Sequence, residues 1–230
     1  MHRLLAAVAP ASVLACALAF GACDDGSQTS PTPTVTPGSI SVSPAGLGLA
    51  GATPYTFTAT GFVSSNGEPL TYRWDFGDRT TATGGSTITH TYMIDWYVFK
   101  TTVTASVASG ASAQATLDGI RVTTAAGRWG VRAAGGTLVF GSTFLAQNEA
   151  SLHGDDTWPS CRFDVTGSVV APRAISLTYT RSPTNCDAVD MPASLTFTGV
   201  ADESISRFQG TLTPGGPATL VKCAAPFNCQ

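Results

Sequence analysis

Tyr72-Arg73-Trp74-Asp75-Phe76-Gly77-Asp78 is the stretch whose reading decides the fold. Successive side chains of a strand point to opposite faces, so Trp74 and Phe76 share one face and Asp75 takes the other. Two large aromatics on one face need a second apolar layer over them. Gly77 permits a sharp exit from the strand, and Asp78 can hydrogen-bond the backbone of a turn.

The flanks repeat this pattern. Ile40-Ser41-Val42, Tyr55 to Ala59, Leu70 to Phe76, Ser86 to Tyr92, Tyr97 to Val107 and Ala113 to Val122 all read as strands. Gly, Pro and Asn66-Gly67 fall between them. Short strands at this spacing predict a sandwich of two antiparallel sheets over residues 38–124.

With His90-Thr91-Tyr92, which starts 16 residues after Trp74, and with the strand from Tyr97, the motif resembles that of PKD domains, an immunoglobulin-like fold. The resemblance implies structural roles for Trp74, Asp75, Phe76, Gly77, Asp78, His90 and Tyr92. It also implies work as a spacer and as a protein or polysaccharide contact. Two departures stand out. Arg79 occupies a place where the family commonly has Gly, and Met93-Ile94-Asp95-Trp96 is one residue shorter than the usual turn and lacks Gly. Trp96 is therefore a candidate contact residue for sugar or protein, the alternative being that it packs on the strand ends. Asp75, Asp78 and His90 lack a third ligand and a calcium-type loop, so no metal is expected.

Residues 127–230 have a different texture. Ile175-Ser176-Leu177-Thr178-Tyr179 and Leu195-Thr196-Phe197-Thr198-Gly199-Val200 alternate with period two and one wet face. Turns are expected at Asn148-Glu149, Gly167 and Gly215-Gly216, which gives an antiparallel meander of six to nine strands. Closure would remove the exposed edges of such a meander. Gly127-Arg128-Trp129 and the later hairpins resemble small lipocalin-like and avidin-like barrels, in which Trp129 would plug one end and the interior would be either filled by side chains or open to a small apolar ligand. The fold class expected is thus all-β: a PKD-like sandwich followed by a small antiparallel barrel or meander, joined by the short link Thr123 to Gly127.

The N-terminus reads as an address. Arg3 supplies a positive n-region, Leu4 to Phe20 an apolar core, and Gly21-Ala22 small residues, which is the layout of a signal peptide over residues 1–22. An uncleaved span needs about 20 apolar residues, and this one is interrupted by Pro10. Phe20-Gly21-Ala22-Cys23 resembles the lipobox of bacterial lipoproteins, with Phe20 in place of the usual Leu, so Cys23 is the expected lipidation site. Cys16 is a rival that would leave a very short apolar core. Residues 23–37 continue as a Pro/Thr/Ser tether. At ~3.1 Å per residue it would lift the body roughly 40 Å off a bilayer. The implied place is the cell envelope, anchored to a bacterial membrane on its periplasmic or surface face.

Cys161, Cys186, Cys223 and Cys229 remain, an even number consistent with disulfides in an exported chain. Three pairings are open, and the sequential one, Cys161–Cys186 with Cys223–Cys229, is preferred. No Cys pair has metal-ligand spacing.

The chain carries 12 basic and 15 acidic side chains among 230 residues, a net charge of −3. The two lysines, Lys100 and Lys222, lie far apart, and no basic run exists, so no nucleic-acid partner is expected. No cofactor is implied. His153 beside Asp155 and Asp156 is the best charged cluster of the second half and reads as a solvated hairpin tip. No Gly-x-Ser-x-Gly context or phosphate-cradling loop is present, so no catalytic residue is assigned. The leading function is non-catalytic binding or adhesion at a membrane surface. A small apolar-ligand carrier is the alternative, and a hydrolase of unrecognised type the third.

Overall fold

Segments rich in Thr, Ser and alternating apolar residues form sheets with one covered face and one wet face. The structure, a computed structural model, describes residues 31–94, 98–136, 138–158, 161–186, 192–224 and 229. These residues form strands and turns, and no helix occurs among them.

The first body contains β1 (Val35–Thr36), β2 (Ser39–Ser43), β3 (Gly48–Leu49), β4 (Pro54–Thr60), β5 (Val63–Ser64), β6 (Thr71–Asp75), β7 (Thr81–Gly84), β8 (Thr87–Thr91), β9 (Val98–Ser106) and β10 (Ser112–Thr123). One sheet has the order β2-β4-β8 and the other β3-β10-β9-β6-β7, while β1 and β5 make a separate two-stranded pair. All pairings are antiparallel except β3 with β10. Between the sheets lie Tyr55, Phe57, Trp74, Phe76, Tyr92, Phe99 and Val103, all buried. Trp74 and Phe76 thus face inward while Asp75 is exposed. The edge strand β7 has no signature of its own: Thr81-Ala82-Thr83-Gly84 offers one apolar residue, and only pairing with β6 makes it a strand.

The second body is a closed barrel of eight antiparallel strands in chain order, from β11 (Gly127–Ala133) through β12 (Leu138–Asn148), β13 (Ser151–Trp158), β14 (Cys161–Val170), β15 (Ala174–Cys186), β16 (Ser194–Ala201) and β17 (Arg207–Thr213) to β18 (Gly216–Lys222). Closure comes from β18 pairing with β11. Eight strands leave an interior just wide enough for side chains. Trp129, Phe163, Tyr179, Phe197, Phe208, Leu145, Leu177 and Leu220 fill it, each fully buried. The cysteines join Cys161 to Cys186 and Cys223 to Cys229.

Two local expectations are corrected. Gly167 is not a turn: β14 runs through it without a break, paired to Leu152 on one side and Leu177 on the other. A Cβ at Gly167 would stand 2.0 Å from the Ser176 carbonyl oxygen, so glycine here serves a close approach of neighbouring strands. His153, Asp155 and Asp156 are not a hairpin tip either. All three lie within β13, and alternation splits them: His153 is exposed, while Asp156 is buried on the inward face with Leu152.

The two bodies interlock. Leu49 and Ala52, from the sandwich segment between β2 and β4, belong to the apolar cluster of the barrel. Thr53 donates its hydroxyl to the Pro172 carbonyl at 2.7 Å, Gln147 donates to the Ala50 carbonyl at 2.8 Å, and Arg173 donates to the Leu47 carbonyl. Trp129 donates its indole N–H to the Ala125 carbonyl at 2.8 Å, and the Ala125 amide donates to Gln147 at 2.7 Å, which pins the short link. Residues Pro33–Gln230 accordingly form one compact unit.

The barrel interior also holds a carboxyl group. Asp156 Oδ2 accepts a hydrogen bond from the Thr143 hydroxyl at 2.6 Å, and that hydroxyl lies 3.2 Å from the Tyr179 hydroxyl. Asp156 Oδ1 has no hydrogen-bond partner among the described residues. Burial raises the Asp156 carboxyl above its ordinary value, against the hydrogen bonds from Thr143 and the Ser142 backbone, with repulsion from Asp155 adding to the rise. A raised acid contributes stability that is fully present below its unfolded value and is lost as pH climbs through its folded one. Asp156→Asn should therefore gain on the native protein as pH rises. Urea unfolding of both proteins between about pH 4 and about pH 8 measures this, and a difference independent of pH would contradict it.

Candidate functional site

The turn that follows β6 gathers the polar residues of the motif. Asp75 Oδ1 accepts from the Gly77 amide at 2.9 Å and closes the strand end. Gly77 has φ 81°, and a Cβ on it would stand 2.4 Å from the Lys100 carbonyl oxygen, so both conformation and space require glycine. The Phe76 amide donates to the Thr80 carbonyl at 3.2 Å, closing the loop. Asp78 Oδ1 accepts from the Thr80 amide at 3.0 Å and from the Thr80 hydroxyl.

His90 and Tyr92 come from the opposite sheet and reach across. His90 Nε2 lies 2.7 Å from Asp78 Oδ2, and its ring stacks on Phe76 with centroids 4.0 Å apart. Tyr92 donates its hydroxyl to the Phe76 carbonyl at 3.1 Å. Burial pushes the Tyr92 phenol up to about 12, so it stays a donor throughout the physiological range. Burial opposes ionisation of Asp78, but the hydrogen bonds from Thr80 and His90 outweigh it and hold the carboxyl below its ordinary value. Asp78 is thus an anion locked to its neighbours. The network ties the two sheets together at the turn; its polar groups are turned on one another, not outward to a substrate.

Outside this network the turn borders an open cleft of about 680 Å³, lined by Gly77, Asp78, Arg79, Ile94, Val98, Phe99 and Lys100. Ile94 and Val98, which line it, are 54% and 57% exposed, and Met93, next to Ile94 in the chain, is 50% exposed. Scattered exposed apolar residues are ordinary, whereas a group lining a cleft marks a contact surface. Arg79 has φ 72°, a left-handed conformation in a residue other than glycine. Its departure from the family's Gly was visible in the sequence; its backbone geometry was not.

Trp96 lies outside the described residues, as do Asp95, Tyr97 and Cys23. In the barrel, His153 and Asp156 occupy opposite faces of β13 and form no acid–base pair. No group of three or more His, Cys, Asp or Glu side chains placed to hold a metal ion occurs among the described residues. The contact of Asp156 with Thr143 and Tyr179 was not legible in advance, because its three members come from different strands.

Gly77→Ala should destabilise the protein by about 1–3 kcal/mol, from a strained φ and a steric clash combined. Urea denaturation reads this directly, and an unchanged midpoint would mean that the turn has room to relax.

The comparisons with known proteins bear on the same region. Residues 48–122, about a third of the chain, match the family model of the PKD domain. No curated protein matches the chain. One solved structure, described as "Structural basis for the promiscuous specificity of the carbohydrate- binding modules from the beta-sandwich super family", is 16% identical, with 82% of this chain and 89% of that chain covered. Its TM-score is 0.35, and nothing about this chain follows from that likeness. Over residues 48–122 the chain is thus similar to PKD domains, and the motif turn stands at one end of the sheets in that segment.

Proposed function

We propose that this chain is a non-catalytic contact protein, which presents the cleft beside its motif turn to a polysaccharide or protein at a bacterial cell surface. The observation that carries the reading is the exposed pair Ile94 and Val98 on a cleft whose wall includes Asp78, held in turn by His90. A contact surface on a rigid base loses less conformational freedom on binding than one on a loose loop. The interlocked barrel supports the reading by stiffening the base further. The carrier reading has less behind it, since the interior positions of the barrel are filled by their own side chains.

Lipid attachment at Cys23 and release of residues 1–22 complete the proposal and give the surface its location, with a tether that ends before residue 34 and not at residue 37, since Val35–Thr36 pairs with β5 as β1 and Val35 is buried in the sandwich. Stable anchoring takes two acyl chains or more, as a lipoprotein cysteine receives. Intact mass spectrometry of the mature protein should find a chain that starts at Cys23 and carries acyl mass. A chain cut elsewhere and without lipid would remove the anchor while leaving the contact role standing.

The contact role itself is tested by Ile94→Asp combined with Val98→Asp. Both positions are exposed, so the fold should persist. Retention on surface polysaccharide and envelope-protein arrays should fall at least about ten-fold if desolvated aliphatic contacts contribute as interface centres do. Unchanged retention would move the contact surface away from this cleft.

A further inference from the structure

We propose that the cleft is a subsite for a carboxylate-bearing polysaccharide, with Arg79 and Lys100 as its anion contacts, an inference that rests on the contact role given above. Among the described residues its exposed charge is cationic, although the chain as a whole carries −3. Arg79 and Lys100 both line it and both are exposed. Neither forms an ion pair among the described residues, where the one close pair joins His90 to Asp78. The single carboxylate on the described wall, Asp78, is turned away to His90 and Thr80. Asp118 stands opposite Lys100 in the register of β10 and β9 and does not pair with it.

The backbone adds an independent argument. Arg79 has φ 72°, which costs an L-residue stability that glycine would not lose. Strain of this kind concentrates where a side chain serves a ligand. The Arg79 side chain makes no hydrogen bond to other described residues, so its guanidinium brings no visible return to the fold. What the position does provide is a planar donor fork at the mouth of the cleft, suited to carboxylate oxygens.

The apolar half of the cleft narrows the class. Ile94 and Val98 offer branched aliphatic surface beside the two cations. A uronate ring presents the matching combination, a carboxylate on one edge and a C–H face. An acidic peptide would bring backbone amides as well, and the edge of β9 that β6 leaves unpaired before Thr102 is covered at Lys100 by the close approach of Gly77. The cleft volume of about 680 Å³ lies within the usual size range of ligand clefts.

The test is affinity electrophoresis of the full chain in gels that contain polygalacturonate, neutral galactan or polyglutamate, with Arg79→Gly and Lys100→Gln as variants and thermal melts alongside. Polygalacturonate should retard the native protein, and retardation should fall as salt is added. Arg79→Gly should melt about 2–4 °C higher yet bind about ten-fold more weakly, as expected for loss of one charge-assisted contact. Opposite signs for stability and affinity are the signature of a strained ligand residue. Equal retardation by galactan and polygalacturonate would overturn the anionic specificity and keep the contact role. Retardation by polyglutamate alone would assign the cleft to an acidic protein partner instead. Native-strength binding by Arg79→Gly would remove Arg79 from the site, and no retardation in any gel would remove the contact role with it.

Discussion

An eight-stranded barrel with an apolar interior has to keep water out of its mouths, and here one mouth is sealed by the neighbouring sandwich. Leu49 and Ala52 enter the barrel cluster, and Thr53, Gln147 and Arg173 tie the backbone around them. The sealing segment is held from the sandwich side as well. The Ala50 amide donates to the Thr123 carbonyl and the Gly51 amide to the Tyr92 carbonyl, each at 2.8 Å. Tyr92 therefore belongs to both arrangements: its backbone anchors the plug and its hydroxyl anchors the motif turn. Each body keeps its own apolar cluster, and the sandwich segment adds Leu49 and Ala52 to that of the barrel, so more surface is buried than the barrel would bury alone.

The motif turn uses the same economy of parts. One strand places Trp74 and Phe76 between the sheets, and the residues that follow bend the chain back over its own end. Trp74 donates its indole N–H to the Gly85 carbonyl at 3.2 Å, so this large aromatic is both packed and hydrogen-bonded. Phe76 receives His90 on its ring face and Tyr92 on its carbonyl. Asp75, Asp78, His90 and Tyr92 each hold a hydrogen-bond partner at this turn. This leaves the chemistry of the surface to the residues just beyond it, Arg79 and Lys100, and to the aliphatic side chains of Ile94 and Val98.

Much of this was legible before any coordinates. Alternation placed most of the sandwich strands, and the Trp-x-Phe spacing assigned the core face of β6, because a strand has only two faces. Alternation also announced β15 and β16. It failed at β7, where no apolar rhythm exists, and at Gly167, where glycine marks a close approach in mid-strand instead of a turn. It failed again at Asp156, since a carboxylate beside a histidine and a second aspartate reads as solvated. Only the inward face of β13 puts Asp156 next to Thr143 and Tyr179. The cleft was half visible: the Arg79 departure and the short loop from Met93 were both on the page, but their meeting at Lys100 was not.

The sequence by itself determined the all-β character, the PKD motif and the strand faces, because each depends on residues within a few positions of one another. The tertiary structure alone decided the number of barrel strands, the closure of β18 on β11, the plug at the barrel mouth and the cations of the cleft. Those depend on groups that are distant along the chain and meet only when the sheets close, and no local period records such meetings.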